Sequence, residues 1–507
     1  MSRSALPSLS TGPNERTSLD DLLGPVVDDL LPGMLHLARD SGATLTRQLT
    51  DQLRHLITKG RLAPGQRLPS SRQLAQSLAL SRNTVSFAIE QLAAEGYLSL
   101  AAGRRPVVAA GLSLDRRKMS PRSSRAGSER MVLSSWARSL QRADWPPVHD
   151  GRPRPFQPGL ADEREFPHDV WSRCLRRAAR NAPLRRDRPI NHRPLQEALL
   201  GHLVVHRGIK AKADQILIVP TAQSGLTLVA DALLERGDHA WIESPGYGGA
   251  NVALHAAGAT VSAIPLDAQG MAIISSRKET PRLIFVTPSH QYPTGRLMPI
   301  GRRLELLRFA EATGACIIED DYDGEFHYEA RPVAALQGLA TSPRVFYLGT
   351  FSKATYADIR FGYLVVPEAL IEVFERAQRH TGMLTSITMQ DALAEFIASG
   401  AYLGHIRRMT RLYKSRRDRM LRALAAEAGD RLATEAPAGG MQLLARCSGP
   451  VNDRQLSARL LDAGVASRPL SSMMYHRTNE QGLFLGFAAW NEKEIDQAAR
   501  ILGRILR

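Results

Sequence analysis

The chain has 507 residues and a net charge of +16. That length holds two or three domains, one of them with a substantial core, and the basic balance suits a phosphate-rich partner better than an acidic one. The three cysteines, Cys174, Cys316 and Cys447, are scattered and form no CxxC pair, which excludes a disulfide framework or a cysteine-zinc centre and leaves no metal site expected. Residues 2–17 are polar and lack the apolar core of a signal peptide, and no apolar stretch nears bilayer-spanning length. A soluble protein of the reducing cytoplasm, away from membranes, is expected.

Composition divides the chain into four parts: an irregular extension over 1–40, a compact helical block over 41–110, a linker over 111–155 and a large domain over 156–507. Leucines scattered over 19–37 give the extension at most a short helix. In the helical block, Leu45, Leu49, Leu53, Leu56 and Ile57 space one apolar helical face. A turn-rich loop over 60–68 follows. Ser70 or Ser71 then caps a second helix through Leu78, with Leu74, Ala75 and Leu78 inward. Ser81 caps a third over 82–94, burying Val85, Ile89 and Leu92. Arg82, Asn83, Thr84 and Ser86 are left near its exposed N-terminal end, where a recognition helix meets bases and phosphates. An apolar ribbon over 98–108, tipped by Gly103-Arg104-Arg105, has the form of a wing. The linker, with Arg116-Arg117-Lys118 and Arg122 among Ser and Pro, is too poor in aliphatics to bury a core.

From residue 156 onward helical patterns alternate with short apolar runs at 215–219, 240–243, 283–287, 315–319, 345–348 and 362–366. Alternation of this kind predicts an α/β domain with a mostly parallel sheet and crossover helices. Within it, Gly349-Thr350-Phe351-Ser352-Lys353 precedes Arg360. Hydroxyls, a lysine and an arginine in that order suit covalent pyridoxal phosphate: the amine forms the Schiff base while hydroxyls, backbone N–H groups and the guanidinium hold the phosphate. Glu319-Asp320-Asp321-Tyr322 delivers carboxylates and a phenol at one strand end. A buried carboxylate keeps the pyridine nitrogen protonated, and a phenol beside the 3-oxygen tunes imine basicity. Tyr247, in Glu243-Ser244-Pro245-Gly246-Tyr247, is placed to stack on the ring.

The stretch from Gly65 to Ala75, with Leu80-Ser81-Arg82-Asn83-Thr84-Val85 and Leu92-Ala93-Ala94-Glu95-Gly96-Tyr97-Leu98, resembles the GntR-type winged helix-turn-helix over about 65 residues. The resemblance implies DNA contacts by Arg72, Arg82 and Thr84, with Gly103 and Arg104 in a wing that lacks the usual Gly-x-Gly-Ser/Thr. The large domain looks like a fold type I aminotransferase, carried by Thr287-Pro288-Ser289-His290-Gln291-Tyr292-Pro293-Thr294-Gly295, Arg360-Phe361-Gly362-Tyr363 and the strings above. The fused arrangement resembles the MocR branch of GntR regulators. That resemblance implies Lys353 bound to pyridoxal 5'-phosphate, Asp320 rather than Asp321 on the pyridinium, Tyr322 on the 3-oxygen and Tyr247 stacked. Arg360, Thr350, Ser352 and an Ala222-Gln223 loop are implied on the phosphate.

Three departures touch the ligand. Tyr292 stands where aminotransferases carry Asn, Gly440-Met441-Gln442 replaces Gly-Leu-His, and Phe484 falls where many have the arginine that grips a substrate carboxylate. Either Arg468 supplies that grip or the ligand has no α-carboxylate. The expected protein is a homodimeric regulator that binds a double-stranded DNA operator and senses a small amino compound by external aldimine formation, with at most slow transamination. The alternatives are an active aminotransferase with an accessory DNA-binding domain, and a DNA-binding protein whose cofactor is purely structural.

Overall fold

The computed structural model describes residues 31–39, 42–110, 133–140, 151–182, 189–274, 279–328, 333–476 and 478–507. The chain divides into two compact units, Met1–Met131 and Val132–Arg507. The arginine-rich run at 116–125 and the N-terminal residues 1–30 lie outside the described residues.

In the first unit, α1 (Leu45–Thr58), α2 (Ser71–Ser77) and α3 (Arg82–Ala94) precede an antiparallel pair, β1 (Leu98–Ser99) and β2 (Val107–Val108). Polar caps set the helix starts. Ser70 and Gln73 form a reciprocal capping box on α2, and the Ser81 hydroxyl accepts from Thr84 N at 3.0 Å on α3. Leu49, Leu53 and Ile57 from α1, Leu74 from α2, and Val85, Ile89 and Leu92 from α3 close over Leu98 and Val108. The extension is less irregular than its composition suggests. A 3-10 turn at Pro32–Met34 buries Leu31 and Leu35 in the same core. The Gln52 side chain pairs with both backbone groups of His36, and Gln48 does the same for Ala38. These two amides on α1 satisfy the extension's backbone as a neighbouring strand would.

The second unit is built on eight strands: β3 (Ile216–Val219), β4 (His239–Ser244), β5 (Thr260–Asp267), β6 (Gly270–Met271), β7 (Leu283–Val286), β8 (Cys316–Asp321), β9 (Val345–Thr350) and β10 (Gly362–Val365). Their order is β3-β10-β9-β8-β7-β4-β5-β6. From β9 through β5 every pair is parallel, while β10 runs antiparallel to both neighbours and β6 closes the far edge antiparallel. All six expected strands are present. Neither β5 nor the short β6 was anticipated, nor was a separate antiparallel sheet of β11 (Leu432–Thr434), β12 (Gln442–Cys447), β13 (Arg468–Pro469) and β14 (Gly482–Gly486) in the order β11-β12-β14-β13. Ser135–Leu140, within the expected linker, is helical. The helix Ala222–Leu233 lies tight on the large sheet, since a Cβ at Gly225 would stand 2.7 Å from Leu348 Cδ1. Because β4, β7, β8 and β9 run parallel, their C-terminal ends deliver residues 244–247, 287, 320–322 and 350–353 to one edge, where open α/β sheets bind ligands. No helix among the described residues is long and apolar enough to cross a membrane.

Candidate functional site

A cavity of about 430 Å³ opens at that edge. Of the nine residues expected around a cofactor, Lys353, Asp320, Tyr322, Tyr247, Thr350, Ser352, Ala222 and Gln223 all line it. Ala222 and Gln223 are not a loop but the first turn of the helix Ala222–Leu233, capped by Thr221, whose hydroxyl accepts from Ser224 N at 3.0 Å. The first-turn N–H groups that such a cap leaves over favour an anion. Arg360 departs from expectation. It sits at φ +45°, exposed, outside the cavity lining, because Ile359 and Phe361 on either side take the buried positions.

The two neighbouring aspartates have opposite surroundings. Successive strand residues face opposite sides. Asp320 faces the cavity, and its Oδ1 has no hydrogen-bond partner. Burial, reinforced by Asp321, Asp323 and Glu243, pushes its carboxyl up to about 8. Asp321 is committed elsewhere: Arg207 Nε lies 2.6 Å from Oδ2, and the Tyr347 hydroxyl donates to the same oxygen at 2.5 Å. Burial raises Asp321, but the Arg207 guanidinium, the Tyr347 hydroxyl, His327 and Ser289 together outweigh it and hold the carboxyl below its usual range. Arg207 is itself fixed, donating to Ser289 Oγ at 2.5 Å.

Burial lowers the Lys353 amine below its ordinary pKa, with Arg468 adding to the effect and Asp323 and Asp320 opposing it. Its Nζ donates to the Gly159 carbonyl at 2.6 Å. Gly159 is at φ +81°, and a Cβ there would come 3.2 Å from that nitrogen. Sequence reading missed Gly159, which lies 194 positions from the lysine. Behind the cavity, Glu243 accepts from the Thr287 hydroxyl at 2.6 Å, and burial raises its carboxyl to about 7.

The small sheet supplies the opposite wall. Phe484 is 1% exposed and lines the cavity, and Arg468 is its register partner on the neighbouring strand. Arg468 Nη1 donates to the Tyr292 hydroxyl at 2.6 Å, and the Tyr292 ring meets Phe484 edge-on with centroids 5.0 Å apart. Arg468 is the single arginine among the described lining residues. Gln442 lines the same wall.

In the first unit, Arg72, Arg82, Gly103 and Arg104 are all exposed. Arg82 opens α3, and Gly103 and Arg104 stand in the loop between β1 and β2. Thr84 is half-buried, and its hydroxyl lies 2.7 Å from that of Ser81, so it shares in the helix cap. Phe87, which the sequence pattern did not single out, is 64% exposed on α3.

Residues 45–108 match the bacterial regulatory proteins of the gntR family, and residues 162–502 match the class I and II aminotransferases. The chain is 37% identical over 473 residues to the probable rhizopine catabolism regulatory protein MocR of Rhizobium meliloti, covering 92% of this chain and 95% of that one. It is 30% identical to the pyridoxine biosynthesis transcriptional regulator PdxR of Corynebacterium glutamicum, covering 89% and 93%. Among solved structures, Pyrococcus horikoshii kynurenine aminotransferase aligns with a TM-score of 0.65 and 25% identity over 78% of this chain and 98% of that one. The α-aminoadipate aminotransferase LysN of Thermus thermophilus, complexed with N-(5'-phosphopyridoxyl)-L-leucine, aligns with a TM-score of 0.64 and 26% identity over 74% and 95%. With a GntR winged helix and a fold type I aminotransferase domain in one polypeptide, the chain belongs to the MocR-type branch of the GntR regulators.

Proposed function

We propose that this chain is a pyridoxal-phosphate-dependent transcription regulator of the cytoplasm that binds operator DNA as a homodimer and senses a small amino compound. The observation that carries this reading is a half-buried lysine in an aminotransferase cavity on the same chain as a winged helix with an exposed arginine at its reading end. The cavity residues fit the cofactor. Asp320, a buried carboxyl that lines the cavity with an unpartnered oxygen, suits a cationic ring nitrogen, whereas Asp321 also leaves Oδ1 unpartnered but lies outside the cavity lining and is held by Arg207 and Tyr347. Thr350, Ser352 and the first N–H groups of the helix Ala222–Leu233 suit the phosphate. Arg360 joins them only by turning inward from its exposed position.

Bound there, pyridoxal phosphate supplies an aldehyde that condenses reversibly with a primary amine. Lys353 offers that amine, and its lowered pKa leaves more of it neutral and nucleophilic. Tyr247 would cover the ring face, and Tyr322 would hold a proton beside the 3-oxygen. An amino ligand competes with Lys353, and Arg468, steadied by Tyr292, receives an anionic group if the ligand carries one. If occupancy of the cavity by ligand alters operator affinity, linkage requires DNA to alter ligand affinity by the same factor. The homodimer rests on the two-fold symmetry common to such oligomers and to paired operator half-sites.

The alternative, an active aminotransferase with an accessory DNA-binding domain, draws on the intact lysine site, while buried Phe484 in place of a carboxylate-binding arginine weighs against it. Titrating the visible absorption of the cofactor-loaded protein with amines, amino acids and polyamines, with and without operator DNA, separates the two. Ligand affinity that shifts with DNA is expected. Brisk steady-state transamination with no such coupling would establish the enzyme instead.

A further inference from the structure

The outward face of α3 carries a residue that a solvated helix has no use for. Val85, Ala88, Ile89 and Leu92 turn into the core, so the opposite side is occupied by Asn83, Phe87 and Glu90. Asn83 and Phe87 are four residues apart and therefore stand one above the other on that face. The Phe87 ring is 64% exposed, far more than any aromatic of the winged-helix core. A lone exposed apolar residue is ordinary on a protein surface. This one lies a single turn beyond Asn83 and just past Arg82, on the helix whose N-terminal end the GntR fold presents to DNA.

The chemistry of the major groove gives that ring a counterpart. Each base edge there offers hydrogen-bond donors and acceptors, and thymine alone adds an apolar group, its C5 methyl. Asparagine pairs with the N6 and N7 edge of adenine. Resting on the DNA-binding reading above, we infer that Phe87 is a specificity-determining residue of the operator interface: one turn of α3 beyond Asn83, its ring contacts the methyl of a thymine adjoining the base that Asn83 reads. Glu90 sets the limit of insertion. Its exposed carboxylate, the next outward position, is repelled by the phosphates, so α3 enters the groove by its N-terminal half with Phe87 as the last residue in contact. Operators for this chain therefore hold A·T pairs at adjoining positions of each half-site.

Deletion of the methyl alone tests this. Duplexes are selected by the full chain from a randomised pool, and each thymine of the winning half-site is replaced in turn by deoxyuridine. Wild-type binding, read by fluorescence anisotropy at fixed salt, is expected to fall about four-fold at one position, the worth of one buried methyl-sized group. Phe87→Ala is expected to bind the thymine duplex about four-fold less tightly and to be indifferent to deoxyuridine there, with an unchanged unfolding midpoint because the ring is exposed. Asn83→Ala is expected to relax the neighbouring adenine preference and to keep the sensitivity to uracil. A Phe87→Ala loss equal on thymine and uracil, no loss at all, or selected sites without thymine would each overturn the inference. Failure of the wild-type chain to select any duplex would instead overturn the DNA-binding reading beneath it.

Discussion

Replacing Asp320 by asparagine removes one proton-binding group from the cavity and nothing of its shape. Burial, with Asp321, Asp323 and Glu243 nearby, raises that carboxyl from an ordinary 3.8 to about 8. An acid raised by folding contributes stability that is fully present below the unfolded value and is lost as pH rises through the folded one. Between about pH 4 and pH 8 this carboxyl thus holds a proton in the folded, cofactor-free chain that it has lost in the unfolded one, and by itself it lowers stability by about 1.4 kcal/mol per pH unit. Over the whole window the ceiling is roughly 6 kcal/mol. Asp320→Asn abolishes this slope while leaving the smaller one from Glu243, which burial raises to about 7 from 4.5.

The assay is calorimetry of cofactor-free wild type and variant from pH 5 to pH 8.5, following the transition that responds to added cofactor so that the two units are not confused. Wild type is expected to lose stability steadily toward pH 8 and Asp320→Asn much less. With the cofactor bound, a ring cation beside Asp320 would keep it ionised, so the wild-type slope is expected to flatten and the stabilisation by cofactor to grow with pH. Parallel pH profiles for wild type and variant would refute the assignment of Asp320 as the raised carboxyl, and an undiminished cofactor affinity in Asp320→Asn would refute its pairing with the ring.

Lys353→Ala is expected to abolish the visible absorption of lysine-bound cofactor and its reductive trapping onto the chain, while phosphate contacts retain some cofactor detectable after dialysis. Arg82→Ala is expected to lose about 1–3 kcal/mol of operator binding if it reads a base, and otherwise to weaken all sequences alike and flatten the salt dependence, which a salt titration distinguishes. Asp321→Asn leaves the buried Arg207 without its carboxylate and is expected to destabilise the large unit by about 3–5 kcal/mol in urea unfolding, far more than Asp320→Asn.

What the sequence disclosed and what it hid differ in range. The winged helix was legible because its signals are local. Ser70 and Ser81 cap within three residues, and Leu49, Leu53 and Ile57 mark one face. The strands β3 and β7 were legible because both faces are buried, so Ile216–Val219 and Leu283–Val286 read as unbroken apolar runs. β5 escaped because it lies near the sheet's margin with only Ile264 fully buried, which dilutes the pattern. Lys353 was found by its neighbours in sequence. Its partner Gly159 was not, since a backbone carbonyl 194 positions away leaves no trace in composition. The aspartate pair lies between these extremes. Alternation along β8 requires that one of Asp320 and Asp321 face the cavity and the other turn away, but which one does so is set by where Arg207 lies, on the helix Arg193–Arg207 more than a hundred positions earlier. The same holds at the ligand wall. Phe484 shows that an expected arginine is missing, but only the register of β13 against β14 places Arg468 beside the gap. Site chemistry that depends on residue type was therefore readable from the residues themselves, whereas the choice of Asp320 over Asp321 rested on resemblance alone until the fold supplied its physical reason.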